Sequence, residues 1–86
     1  MIASAPAVPA SRTFEVDLRN APHSRRRRLV LARLESLRPQ DRLVVVCDYE
    51  PKVLRLQLED WFEGVFVWRW DRPGPVVWRA EITRRR

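Results

Sequence analysis

Leu43-Val44-Val45-Val46-Cys47 is an unbroken apolar run that Asp48-Tyr49-Glu50-Pro51 brings to an end. A strand apolar at every position is buried on both faces, which places this one in the middle of a sheet. Pro51 suits the first position of a helix, where its missing N–H costs no hydrogen bond and its φ is already set. Leu54, Leu58 and Trp61 then recur at four and three residues, predicting a helix to about Phe62 with that stripe against the sheet; Gly64 fits its exit.

Upstream, Phe14, Val16 and Leu18 alternate with Glu15, Asp17 and Arg19, the pattern of a half-buried strand. Asn20-Ala21-Pro22 ends it, and Ser24 is the expected N-cap of a helix running to about Leu37. Val30, Leu34 and Leu37, with Leu31 beside them, form its inward face, and Arg38-Pro39-Gln40-Asp41 is a turn. Downstream, Val65–Trp70 and Val76–Thr83 read as strands joined by the tight connection Asp71-Arg72-Pro73-Gly74-Pro75, an antiparallel hairpin. The order is βαβαββ. It predicts an α/β (α+β) fold: a two-layer sandwich with a four-stranded mixed sheet and two helices on one face. The expected boundaries are a flexible N-terminal tail over 1–12, one domain over 13–83 and a basic C-terminal tail over 84–86.

Alternation also describes the face the helices leave open. Phe66, Trp68, Trp70, Trp78, Ala80 and Ile82 point to the helices, so Val65, Val67, Arg69, Val77, Arg79 and Glu81 point away. In the central strand either Leu43, Val45 and Cys47 or Val44 and Val46 join that outer face. Val65, Val67 and Val77, with Arg69 and Arg79 among them, are therefore the candidate interface of a twofold homodimer. The competing expectation is ordinary solvated sheet.

Composition narrows the function classes. At 86 residues the chain holds one core, and 45% hydrophobic with 33% charged residues marks it as globular. One cysteine and one histidine exclude an intramolecular disulfide and a multi-thiolate zinc site, so no metal and no cofactor is expected. The apolar stretch Met1–Ala10 is short, broken by Pro6 and Pro9 and without a basic flank, which argues against a signal peptide or membrane span and for the cytoplasm. The net charge of +6 is unevenly spread: residues 12–42 carry nine arginines against four acids, and Arg84, Arg85 and Arg86 close the chain.

Two groups are candidates for chemistry. His23, Cys47, Asp48, Tyr49 and Glu50 fall in or beside loops that two neighbouring strands would bring to one end of the sheet. Cys47 ends a buried strand and is expected to act as a small hydrophobe; the active alternative is a thiolate near a helix N-terminus. Arg25-Arg26-Arg27-Arg28 opens the first helix, where positive charge opposes the macrodipole and a bound anion would relieve it. The plainer alternative has these side chains in water or paired with Asp48 and Glu50. Nucleic acid is disfavoured, because most of the tryptophans are assigned to the core and no recognition motif is present.

Some of these residues are also recognisable together. Asp17-Leu18-Arg19, Leu37-Arg38-Pro39, Cys47-Asp48-Tyr49-Glu50-Pro51-Lys52-Val53-Leu54, Phe66-Val67-Trp68-Arg69-Trp70 and Gly74-Pro75-Val76-Val77-Trp78-Arg79-Ala80-Glu81-Ile82 resemble the domain-of-unknown-function family 2249. These are small bacterial proteins related to the TusA/SirA sulfur-carrier fold, and the resemblance spans Phe14 to Thr83. It implies the same two-layer fold. Sulfur carriers place a nucleophilic cysteine before the first helix; the matching positions here are His23 and Ser24, so that thiol is missing. The closer family shows Arg-His where this chain has Arg26-Arg27, and Asn-Asp-His-Asp-Pro where it has Cys47 to Pro51. Both family histidines are thus replaced, by Arg27 and Tyr49, and any metal site built on them is lost. Some relatives occur beside hemerythrin-like or cupin domains, which points toward metal or redox metabolism. The leading expectation is a non-catalytic accessory or protein-interaction domain with an unidentified protein partner. The alternatives are a phosphate- or polyanion-binding module using Arg25–Arg28, and a degenerate sulfur or redox carrier using Cys47.

Overall fold

The computed structural model describes residues 11–86. Residues 1–10 of the tail expected over 1–12 lie outside them. The elements are β1 (Thr13–Asp17), α1 (His23–Glu35), β2 (Arg42–Cys47), α2 (Lys52–Trp61), β3 (Phe66–Pro73) and β4 (Trp78–Arg84). They build one four-stranded mixed sheet in the order β1-β2-β4-β3. β1 and β2 are parallel and joined through α1, whereas β4 is antiparallel to both β2 and β3. The uniformly apolar β2 is central, as its sequence requires. Val30 and Leu34 of α1 and Leu58 of α2 share one buried cluster with Leu43, Val45 and Ile82 of the strands, so both helices lie on the same sheet face.

Several local expectations are corrected. Ser24 is not the N-cap: α1 begins at His23 after Pro22, and no side chain caps it. The helix ends at Glu35, and Leu37 stays buried from the following turn. α2 starts at Lys52 with Pro51 in the cap position and stops one residue short of Phe62. Trp61, expected in the buried stripe of α2, is 50% exposed, and Phe62 packs on the core in its place. β3 continues through Asp71 and Arg72 to Pro73, with a bulge between Trp70 and Arg72. The hairpin turn is therefore Gly74–Val77, closed by the Gly74 N–H on the Val77 carbonyl. Gly74 has φ +82°, and a Cβ there would run into the Trp78 ring, so the turn demands glycine.

The outer face of the sheet also differs from its expected form. Val65 and Val77 lie in turns outside β3 and β4, leaving Val67 as the exposed valine of the proposed interface. Val44 and Val46 are on that face yet buried, in register with Glu15 and Glu81 and with Asp17 and Arg79. Arg79 bonds Asp71 at 2.8 Å and reaches Glu15 at 3.5 Å, and Arg69 lies 3.6 Å from Glu81. Cross-strand ion pairs, not an apolar plane, cover this side.

Buried charge organises the end where β1 and β2 begin. Asp41 is buried; its Oδ1 accepts the Arg12 backbone N–H at 2.9 Å, and its Oδ2 accepts the Arg38 N–H at 3.0 Å and the Arg12 guanidinium at 2.9 Å. Its own N–H and C=O bond the Arg38 carbonyl and the Arg84 N–H. Arg12 and Arg84, assigned to the two tails, are thus fastened into the sheet. The Arg12 and Arg38 N–H groups hold the Asp41 carboxyl at about 2, below its ordinary 3.8. A carboxyl depressed on folding adds stability above its unfolded value and loses it as pH falls through its folded one. Asp41→Ala is expected to lower the melting temperature by about 5 °C or more at neutral pH. Thermal unfolding from pH 7 to pH 2 should show that gap narrowing below about pH 4. A gap that stays constant would mean the carboxylate charge is not what matters.

Candidate functional site

Because β1 and β2 are parallel and adjacent, the loops that follow them emerge side by side at the opposite end of the sheet. Between these loops sits Arg26. It projects from the first turns of α1 into the protein and is 5% exposed. Its Nε donates to the Ala21 carbonyl at 2.9 Å, Nη1 to Asp48 Oδ1 at 2.8 Å and Nη2 to the Arg19 carbonyl at 3.4 Å. The guanidinium also lies 5.3 Å from the centre of the Tyr49 ring. One side chain thereby joins two positions of the first loop region to two of the second. The same hydrogen bond lowers the Asp48 pKa and raises that of Arg26.

Around Arg26 the sequence candidates separate into roles. Tyr49 stacks on His23, with ring centres 5.3 Å apart and planes 23° from parallel. Cys47 lies beneath the site, 1% exposed, and burial pushes its thiol up to about 11, against the opposing pull of Arg26. It belongs to the core cluster, as the bland reading of its sequence position expected. The four consecutive arginines do not converge on one ligand. Arg26 is committed to the loops, while Arg25, Arg27 and Arg28 are exposed, with Arg27 5.9 Å from the centre of the Trp61 ring.

Above Arg26 opens a cleft of about 550 Å³ lined by both loops and by the first turns of α1 and α2. Its polar wall includes His23, Arg27, Tyr49, Glu50, Lys52 and Gln57, and its apolar wall Leu18, Val53 and Leu54. Lys52 lies 3.6 Å from Glu50, so the one carboxylate of the wall is answered within it. Neither helix carries a capping side chain or an acidic residue in its first turn, so both present uncompensated N–H groups and positive dipole ends here. Gln57 Oε1 is buried with no hydrogen-bond partner among the described residues. Among those residues no three His, Cys, Asp or Glu side chains come together to hold a metal ion.

The structure places His23, Asp48, Tyr49 and Glu50 at one end of the sheet, and beside them Lys52 and Gln57, which sequence reasoning did not name. Gln57 carried a legible signal: it sits three residues after Leu54 on the inward side of α2, where an amide needs a partner.

Fold and cleft together define a two-layer βαβαββ domain with a ligand-sized recess at the ends of its parallel strands. The chain matches the model of the uncharacterized conserved protein family DUF2249 over residues 15–84, and it belongs to that family. No curated protein and no solved structure matches it.

Two outcomes follow from the Arg26 joint and the buried thiol. Arg26→Ala should lower the melting temperature by about 8 °C or more, since Asp48 and two loop carbonyls lose their donor. Arg26→Lys should recover less than half of that loss, because an ammonium cannot reproduce the planar fork. Equal melting temperatures for wild type and Arg26→Ala would show the joint to be dispensable. Cys47 should resist iodoacetamide at pH 8 in the folded protein and react quickly in denaturant. Fast labelling of the native chain, followed by mass spectrometry, would contradict its burial.

Proposed function

We propose that this chain is a non-catalytic accessory domain that binds a small anionic molecule in the cleft between the N-termini of α1 and α2. The observation carrying this reading is the convergence of two uncapped helix N-termini with Arg27 and Lys52 on one recess of about 550 Å³. Such a recess supplies backbone N–H donors, two cationic side chains and an apolar floor, which suits a phosphate or carboxylate on a compact organic body. The stacked His23–Tyr49 pair offers a flat wall for a planar group.

The domain is read as a binder, not an enzyme, because its sole thiol is buried and protonated and His23 is engaged by an aromatic ring. The same burial weighs against a sulfur or redox carrier using Cys47. A reduced, buried thiol is consistent with a cytoplasmic setting. Among the described residues no helix is long and apolar enough to cross a membrane.

The relevant arginine of the cluster is Arg27; Arg26 is structural, and its substitution would confuse lost binding with lost folding. Phosphate or small dicarboxylates are expected to raise the melting temperature more than chloride at matched ionic strength. Preferential exclusion of such anions stabilises any protein, so the comparison must be made with the Arg27→Gln/Lys52→Gln variant. The variant should lose the anion-specific part, about 4 °C or more near saturation, while keeping its basal melting temperature within about 3 °C. An identical anion response in both proteins, with calorimetry showing no heat of binding, would end the proposal.

A further inference from the structure

The outer face of α1 carries Arg25, Arg28, Leu29, Ala32 and Arg33 at spacings of three, one, three and one. These residues form a single ridge along a helix of about 20 Å, and all five are exposed. Arg25, Arg28 and Arg33 have no carboxylate within salt-bridge distance among the described residues, unlike Arg12, Arg19, Arg26, Arg55, Arg69 and Arg79. Arg25 and Arg28 also stand near the positive end of the helix dipole, an arrangement that nothing within the domain compensates.

The end of α1 is fastened to residues far away in sequence. The Arg84 guanidinium donates to the Leu37 carbonyl just past the end of α1, the Gln40 N–H donates to the Arg84 carbonyl, and the Gln40 amide reaches the Arg85 carbonyl at 3.4 Å. Exposed Arg85 and Arg86 are thereby held beside the helix end. Their side chains turn elsewhere: Arg85 lines the open sheet face with Val67, Arg69 and Glu81, and the Arg86 guanidinium lies beside Gly64, so the unpaired cations on this side of the helix are those of the ridge itself.

We infer that this ridge is a docking surface for an acidic, amphipathic helix of a partner protein. Leu29, 41% exposed at the centre of the ridge, and Ala32 one turn below form an apolar notch between arginines. An acidic helix laid along α1 could seat one apolar side chain in that notch and place carboxylates against Arg25, Arg28 and Arg33, pairing charge with contact area. Single-stranded nucleic acid fits less well. The exposed rings Tyr49 and Trp61 belong to other surfaces, so bases would find no stacking platform on the ridge.

Fluorescence anisotropy with a labelled glutamate-rich peptide bearing leucine at every fourth position, against an oligothymidylate of equal charge, tests the assignment. The peptide is expected to bind more tightly than the oligonucleotide and to weaken about tenfold between roughly 50 and 200 mM NaCl. Arg25→Glu/Arg28→Glu should weaken peptide binding at least about tenfold and should fold at least as well as wild type, because acids near a helix N-terminus are favourable. Arg72→Glu, at an exposed position on the far edge strand, should change peptide affinity by less than about twofold. Leu29→Gln should weaken the peptide and leave the oligonucleotide unchanged. Tighter binding of the oligonucleotide, equal peptide affinities for wild type and Arg25→Glu/Arg28→Glu, or no peptide binding at the lower salt would each overturn the inference.

Discussion

Burying a guanidinium strips it of water, and the cost is tolerable only if its donors find acceptors of fixed geometry. Arg26 meets that condition with the Ala21 carbonyl, the Arg19 carbonyl and Asp48. Each of these partners lies on a loop that has no regular hydrogen-bond ladder of its own. The need to satisfy one cation therefore fixes the separation of the two loops, and with it the cleft that lies over them. Asp48, next to the only cysteine, does not activate it either: its negative charge adds to burial in raising the thiol pKa, against the opposing pull of Arg26. A neutral residue at position 26 would leave the same strands and helices but no defined distance between their connecting loops.

The other end of the sheet solves the complementary problem. There the buried group is an anion, Asp41, and its acceptor capacity is filled by backbone N–H groups of Arg12 and Arg38 as well as by the Arg12 side chain. Backbone donors cannot rotate away, so this carboxylate defines where β1 starts and how the turn after α1 closes. The Asp41 carbonyl and the Gln40 N–H then tie in Arg84, bringing β4 to the same point. Between the two charged anchors lies an apolar layer of Leu, Val and Ile without polar atoms on its side chains. Apolar burial is non-directional and does not by itself choose a strand register; a small domain gains that uniqueness from the directional bonds at each end.

What was legible in the sequence is what depends on period. The alternation of β1, the continuous apolar run of β2 and the four-residue spacing of Leu54 and Leu58 each give element type and buried face without reference to anything distant. What was not legible depends on a competitor elsewhere in the chain. Ser24 looks like a cap until Pro22 takes the position. Trp61 continues the apolar stripe of α2, yet the helix end turns it outward and Phe62 covers the core instead. Asp71, Arg72 and Pro73 read as a turn, but Asp71 finds Arg79 across the sheet and the strand is drawn onward through a bulge. The same applies to the site. Loop adjacency follows from the βαβ order, so His23 and Asp48 could be placed together, whereas the inward turn of Arg26 rests on a carbonyl geometry that no local pattern encodes.

The division among the arginines shows how far composition can be trusted. Sixteen of the seventeen basic residues are arginine, a bias that base composition alone would produce. Were that the whole explanation, arginines would be scattered over solvent and interchangeable with lysine. Instead Arg12, Arg26 and Arg84 bond backbone or carboxylate partners through their guanidinium groups at the ends of the sheet, and Arg79 spans two carboxylates from β4. These roles require several donors in one plane, which an ammonium does not offer. Arg25, Arg28 and Arg33 have no such partners among the described residues and cluster on one helix face. Arg27, Arg38, Arg42, Arg72, Arg85 and Arg86 also lack a carboxylate partner among the described residues; what sets these three apart is that they share one helix face with an exposed leucine. A shared cationic face beside an apolar side chain is the arrangement that recognition of an acidic surface would use.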